Sequence, residues 1–116
     1  MSATTIYHNP RCSKSRTTLA LLEENRVDAT VVLYLDSPPD VKELKALLKK
    51  LDMTAAQLVR RGEEAYKASG LNKDSDEDEI LAAMATYPKL IERPIVVKGA
   101  AAVLGRPPEN VLALIK

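Results

Sequence analysis

The sequence predicts an α/β fold: a four-stranded mixed sheet flanked by helices, with a helical insert between a βαβ half and a ββα half. Three observations predict it. Short β-branched or apolar runs lie towards both ends of the 116-residue chain, and the leucine-rich middle repeats at helical spacing. Turn-forming Asn, Pro and Gly residues punctuate the boundaries. The length is near the commonest domain size, so residues 1–116 are expected to form a single domain, with the insert over about 37–88.

Residues 4–8 read as a short strand closed by the turn-forming pair Asn9 and Pro10. A helical pattern begins near Ser13 or Ser15 and carries Leu19 and Leu22 on one face to about Asn25. Residues 30–35 are an almost unbroken β-branched and apolar run, which suits a buried parallel strand. Ser37 is placed to cap a second helix with Pro38 and Pro39 in its first turn. Val41, Leu44, Leu47, Leu48 and Leu51 then follow at helical spacing. Thr54 caps a short helix through Arg60, and residues 63–69 make another that ends at Gly70. Residues 72–79 are a solvated polar stretch. Within it Ser75 and Asp78 make a capping box for a helix bearing Ile80, Leu81, Met84 and Tyr87, stopped by Pro88. Ile95–Lys98 and Ala101–Leu104 flank Gly99 as a hairpin. Pro107 and Pro108 open a terminal helix with Val111, Leu112 and Ile115 inward. The order βαβ, helices, ββα is a thioredoxin-like layout whose helices would cover both faces of the sheet.

Composition narrows the function. A hydrophobic fraction of 46% and a charged fraction of 28% are ordinary for a globular protein. Seventeen basic and 16 acidic residues leave a net charge of +1, so nothing in the bulk charge points to nucleic acid or an anionic membrane. Any anion site must come from local placement of arginines. No run approaches the roughly 18 apolar residues of a spanning helix, and the N-terminus enters a strand pattern directly, unlike a signal peptide. One cysteine excludes an internal disulfide. A lone thiol fits a reducing compartment, and the cytoplasm is the expected location. Balanced charge and the absence of heptads predict a monomer.

Cys12 sits in Tyr7-His8-Asn9-Pro10-Arg11-Cys12-Ser13-Lys14-Ser15-Arg16, after a strand and at the start of a helix. A helix N-terminus offers free N–H groups and partial positive charge, which favour a thiolate and can bind an oxyanion. Arg11, Lys14 and Arg16 add formal charge, and His8 adds more when protonated. A free thiol with a pKa of about 8.5 is only a few per cent ionised at pH 7, so a lowered pKa makes a nucleophile. Spacing removes three neighbouring chemistries. A dithiol protein needs a second cysteine where Ser15 stands, a cysteine phosphatase needs an arginine where Thr18 stands, and zinc needs more than one Cys and one His. Monothiol chemistry remains, with the second sulfur supplied from outside. His8 is open between proton relay, thiol activation and a satisfied strand-end histidine.

Arg60, Arg93 and Arg106 stand at the end of a helix and at the two ends of the final hairpin. Arginine forks match tetrahedral oxyanions. Two of the three precede proline in otherwise apolar segments, and Pro94 is expected to face the cysteine, in cis. Arg61 and Arg26 read as solvated surface residues.

The motif from Ile6 to Arg16 resembles the opening motif of the glutathione- and glutaredoxin-coupled arsenate reductases. Leu58-Val59-Arg60-Arg61, Ile91-Glu92-Arg93-Pro94-Ile95-Val96-Val97 and Leu104-Gly105-Arg106-Pro107 resemble its later motifs in order and spacing. The resemblance implies that Cys12 attacks arsenate, that Arg60, Arg93 and Arg106 hold the oxyanion, and that His8 and Ser15 help activate the thiol. It also implies glutathione as co-substrate, glutaredoxin as a transient protein partner, and no tightly bound cofactor or metal. Typical members follow the cysteine with Gly-Thr, whereas this chain has Ser13-Lys14, a pattern similar to a side branch of the family. Two other readings stay open at this level: a glutathione-dependent monothiol oxidoreductase acting on other disulfides, and a non-catalytic regulator that binds a protein partner.

Overall fold

The computed structural model describes residues 3–115. They form two compact units, one holding the residues up to Ser37 and from Arg93 onward, the other Pro38–Glu92.

The first unit carries the sheet. Strand β1 (Thr4–Tyr7) leads through α1 (Ser13–Glu24) to β2 (Ala29–Val32), and the chain returns later as β3 (Ile95–Lys98), β4 (Ala101–Leu104) and the terminal helix α6 (Asn110–Ile115). The strand order is β2-β1-β3-β4. β1 runs parallel to β2, pairing Ile6 with Val31, and antiparallel to β3, pairing Ile6 with Val96. β3 and β4 form the expected hairpin, turning at Gly99 with φ 62°. A βαβ half and a ββα half around one mixed sheet make the thioredoxin-like arrangement. Ile6, Leu22, Val96 and Val111 are fully buried at its centre, with Leu19, Val103, Leu114 and Ile115 packed against them. Each such side chain contributes roughly 1.5–3 kcal/mol by leaving water.

Two expectations change here. The run over 30–35 is not a buried strand: β2 stops at Val32 and lies at the sheet edge, leaving Val31 44% and Leu33 40% exposed. An edge strand has one neighbour, so its β-branched residues reflect strand propensity more than burial. In α6 the inward stripe is Val111, Leu114 and Ile115, at positions i, i+3 and i+4; Leu112 is off that stripe and only half-buried.

The second unit is helical. Helix α2 (Val41–Leu51) buries Leu44, Leu47 and Leu48. Its cap is Asp40, whose carboxylate accepts from the Glu43 N–H at 2.8 Å. Ser37 is not the cap, because Pro38 itself precedes a proline and is steered out of the α region, so the chain becomes helical only after Pro39. Asp52 closes the helix in the left-handed region, φ 57°. Helix α3 (Ala55–Leu58) has a capping box from Thr54 and Gln57. It stops short of Arg60 because Val59 turns extended and pairs with Ile91. That pairing carries the unit on to Glu92, whose N–H donates to Leu58 O at 3.0 Å. A short helix α4 (Glu64–Ala68) precedes Gly70, which has φ 80°.

Helix α5 (Glu77–Thr86) buries Ile80, Leu81, Ala83 and Met84. Its capping box is Asp76 with Glu79, one residue beyond the expected Ser75 with Asp78. The Ser75 hydroxyl is occupied, accepting the Asn72 N–H at 2.9 Å, while the Asp76 carboxylate is free to cap. Tyr87 ends the helix 40% exposed, and Leu90 in the following 3-10 turn (Pro88–Leu90) takes the buried place. Among the described residues no helix is long and apolar enough to cross a membrane.

Candidate active site

The site grows from the end of β1. His8 keeps sheet contact through its N–H to Val32 O at 2.9 Å, and the chain then turns sharply. Asn9 makes the turn: its side-chain oxygen accepts the Arg11 N–H and its carbonyl accepts the Cys12 N–H, both at 3.0 Å. Cys12 thus enters α1 as its N-cap residue, φ −95° and ψ 121°, and its thiol is half-buried.

Burial pushes the Cys12 thiol up, but the Ser15 N–H, the Arg93 guanidinium and the Lys14 N–H outweigh it. Arg93 acts both by hydrogen bond and by charge, and the net effect holds the thiol below its ordinary range. The formal charge at the sulfur therefore comes from a residue 81 positions along the chain. Arg11, Lys14 and Arg16 are exposed, and Arg16 instead braces the loop by donating to Pro10 O at 2.8 Å.

Ser15 and His8 form one unit beneath the loop. The Ser15 hydroxyl is fully buried, 2.6 Å from His8 Nδ1, and it accepts the Asn9 N–H at 3.0 Å. Burial and the nearby Arg16 charge lower the His8 pKa, which keeps the ring neutral at pH 7. So His8 adds no charge beside the thiol there. Its visible role is to fix Ser15, whose N–H faces the sulfur.

Arg93 opens the segment into β3 through a cis bond to Pro94, and a second cis bond joins Arg106 to Pro107. Arg106 Nη1 donates to Arg93 O at 3.2 Å, which ties the two guanidinium-bearing turns together. Gly105 N–H donates to Pro94 O at 2.9 Å. A Cβ on Gly105 would stand 2.5 Å from Thr18 Oγ1 and 2.8 Å from Pro94 Cγ, so α1 and the Pro94 turn approach too closely for a side chain. Thr18, fully buried, returns its hydroxyl to Lys14 O at 2.7 Å. Cys12, Ser15, His8, Arg93 and Arg106 are therefore gathered by the sheet-bearing unit.

Arg60 belongs to the helical unit. Two carboxylates hold it, Glu92 at 3.0 Å from Nη1 and Glu63 at 3.3 Å from Nε, and it keeps a quarter of its surface. Among the described residues no group of three or more His, Cys, Asp or Glu side chains could hold a metal ion.

Residues 7–114 match the ArsC family. The chain belongs to that family. The Escherichia coli (strain K12) protein YfgD, itself uncharacterized, is 53% identical over 95% of this chain and 94% of its own length. An arsenate reductase of Neisseria meningitidis serogroup B is 49% identical over 95% of this chain and 96% of its own. The solved structure of the arsenate reductase from Vibrio cholerae superposes with a TM-score of 0.94 at 47% identity, covering 98% of both chains.

Cys12 and the arginines at 60, 93 and 106 stand out in the sequence, but the contacts that hold them do not. The Arg60–Glu63 pair joins opposite charges only three residues apart, a spacing visible in the sequence, although both residues lie in the turn between α3 and α4 and not on one helix. Glu92 on Arg60, and Thr18 against Gly105, have no such local spacing, because those contacts join segments 32 and 87 residues apart.

Proposed function

We propose that this chain reduces arsenate to arsenite, with Cys12 as nucleophile and with glutathione and glutaredoxin as reductants. The observation that carries the reading is the Cys12 thiol, held low against its own burial by the Ser15 N–H and Arg93, in a chain with no second cysteine. Membership of the ArsC family and the arsenate reductase names of the Neisseria and Vibrio relatives support it.

In this reading the Cys12 thiolate forms an As–S bond while an As–O bond breaks, the departing hydroxyl taking up a proton to leave as water. Arg93 and Arg106 hold the oxyanion, Arg60 being the third arginine that the family resemblance implies, and each charge-assisted hydrogen bond is worth about 1.5–3 kcal/mol. Glutathione supplies the second sulfur. The two sulfurs join as a Cys12–glutathione disulfide while their two electrons pass to arsenic, taking As(V) to As(III). Glutaredoxin then exchanges the glutathione off Cys12. His8 and Ser15 serve thiol activation by setting the Ser15 N–H against the sulfur. The chain works as one domain and a monomer in the cytoplasm, with no tightly bound cofactor and no nucleic-acid or membrane partner.

The test is arsenate-dependent NADPH consumption coupled through glutathione, glutaredoxin and glutathione reductase. Turnover that disappears in Cys12→Ser is the expected result. Full turnover with thioredoxin alone, or substantial turnover in Cys12→Ser, would overturn the scheme.

A further inference from the structure

Beside the reactive turn lies a cleft of about 310 Å³ to which the steps above assign no role. It is lined by His8, Asn9, Pro10 and Arg11 from the turn after β1 and by Leu33, Leu35 and Asp36 from the segment after β2. Its volume falls at the lower end of ligand pockets, roughly 300–1,000 Å³. We propose that this cleft seats the thiol reductant, a zwitterionic peptide thiol of the glutathione class. Arg11 would face a carboxylate of the peptide, and Asp36 its ammonium.

Three features support that occupant. The chain has one cysteine, so a thiol from outside must approach Cys12 and needs a surface to dock on. Arg11 and Asp36 are both exposed, and among the described residues neither joins an ion pair; they offer opposite charges from the two chain segments that line the cleft. Leu33 gives the same cleft an apolar surface, 40% exposed and at the sheet edge, suited to a cysteinyl methylene and peptide backbone. A free phosphate or arsenate would gain nothing from Asp36, whereas a zwitterion gains from both charged residues. The first lining segment and the nucleophile also share one turn, since the Cys12 N–H is tied to Asn9 O at 3.0 Å. The proposal rests on the reading of Cys12 as the redox thiol.

The experiment measures glutathionylation of Cys12 by oxidised glutathione, followed by mass. In that step the thiolate forms a new S–S bond, the S–S bond of oxidised glutathione breaks, and one glutathione leaves as a thiolate that takes up a proton. Hydroxyethyl disulfide, which is neutral, serves as the comparison reagent. Arg11→Glu and Asp36→Lys should each slow reaction with oxidised glutathione about threefold, the scale of an exposed ion pair. Neither should change the rate with hydroxyethyl disulfide. Equal slowing with both reagents would mean that Arg11 or Asp36 acts on the thiol itself, and would overturn the cleft assignment; so would unchanged rates with both. Arsenate takes no part in this assay. A chain that shows the charge dependence but turns over no arsenate removes the arsenate reading and keeps the cleft.

Discussion

At the scale of single residues, the site depends on how one guanidinium meets one sulfur. Burial alone would raise the Cys12 pKa, and Arg93 is the charged side chain that opposes it. Removing it has two separable consequences. In Arg93→Ala the Cys12 pKa should rise, and the pH profile of iodoacetamide alkylation should move to higher pH with it. If Arg93 also binds the oxyanion, arsenate affinity should fall by about 1.5–3 kcal/mol, the loss of a charged hydrogen bond. An alkylation profile unmoved in Arg93→Ala would mean that the helix N–H groups hold the thiolate without it. An unchanged arsenate KM beside a shifted profile would confine Arg93 to the thiol.

At the scale of elements, α1 and the two proline turns are fitted together through Gly105. The turn bearing Arg93 is fixed by the Gly105 N–H on Pro94 O, and Gly105 itself lies against Thr18 of α1. Gly105→Ala should destabilise the fold by about 1–3 kcal/mol in urea titration, the usual cost of overpacking. Thr18→Ala removes both Thr18 atoms that the new methyl would meet. The double variant should therefore lose less stability than the two single losses added, and strict additivity would show that the contact is relieved elsewhere. Much at this scale was legible in the sequence. Hydrophobic period and turn residues identify α2, α5 and the β3–β4 hairpin, because those signals are local. The caps moved by one to three residues, from Ser37 to Asp40 and from Ser75 to Asp76, where proline geometry or a competing hydrogen bond decided between adjacent polar residues. The edge position of β2 was illegible. A run of Thr, Val and Leu reads the same whether one neighbouring strand covers it or two.

At the scale of the whole molecule, the charge balance leaves few groups to titrate near neutrality. The chain has one histidine and one cysteine. The His8 pKa is lowered in the fold by burial and by Arg16, so the unfolded chain binds that proton more readily than the native one. Stability must then rise with pH where the difference is expressed. The contribution is complete above the ordinary histidine value of about 6.5 and is lost as pH falls below it, with a slope of at most about 1.4 kcal/mol per pH unit. The Cys12 thiol, also lowered, adds a term of the same sign, so Cys12→Ser isolates the histidine. In that background the urea midpoint should drop between pH 7.5 and pH 5.5, and His8→Asn should flatten the drop. Asparagine cannot protonate in this range, while its amide can still bond the Ser15 hydroxyl. A drop of equal size in both chains would remove His8 as the source of the acid sensitivity and leave it with a positioning role alone.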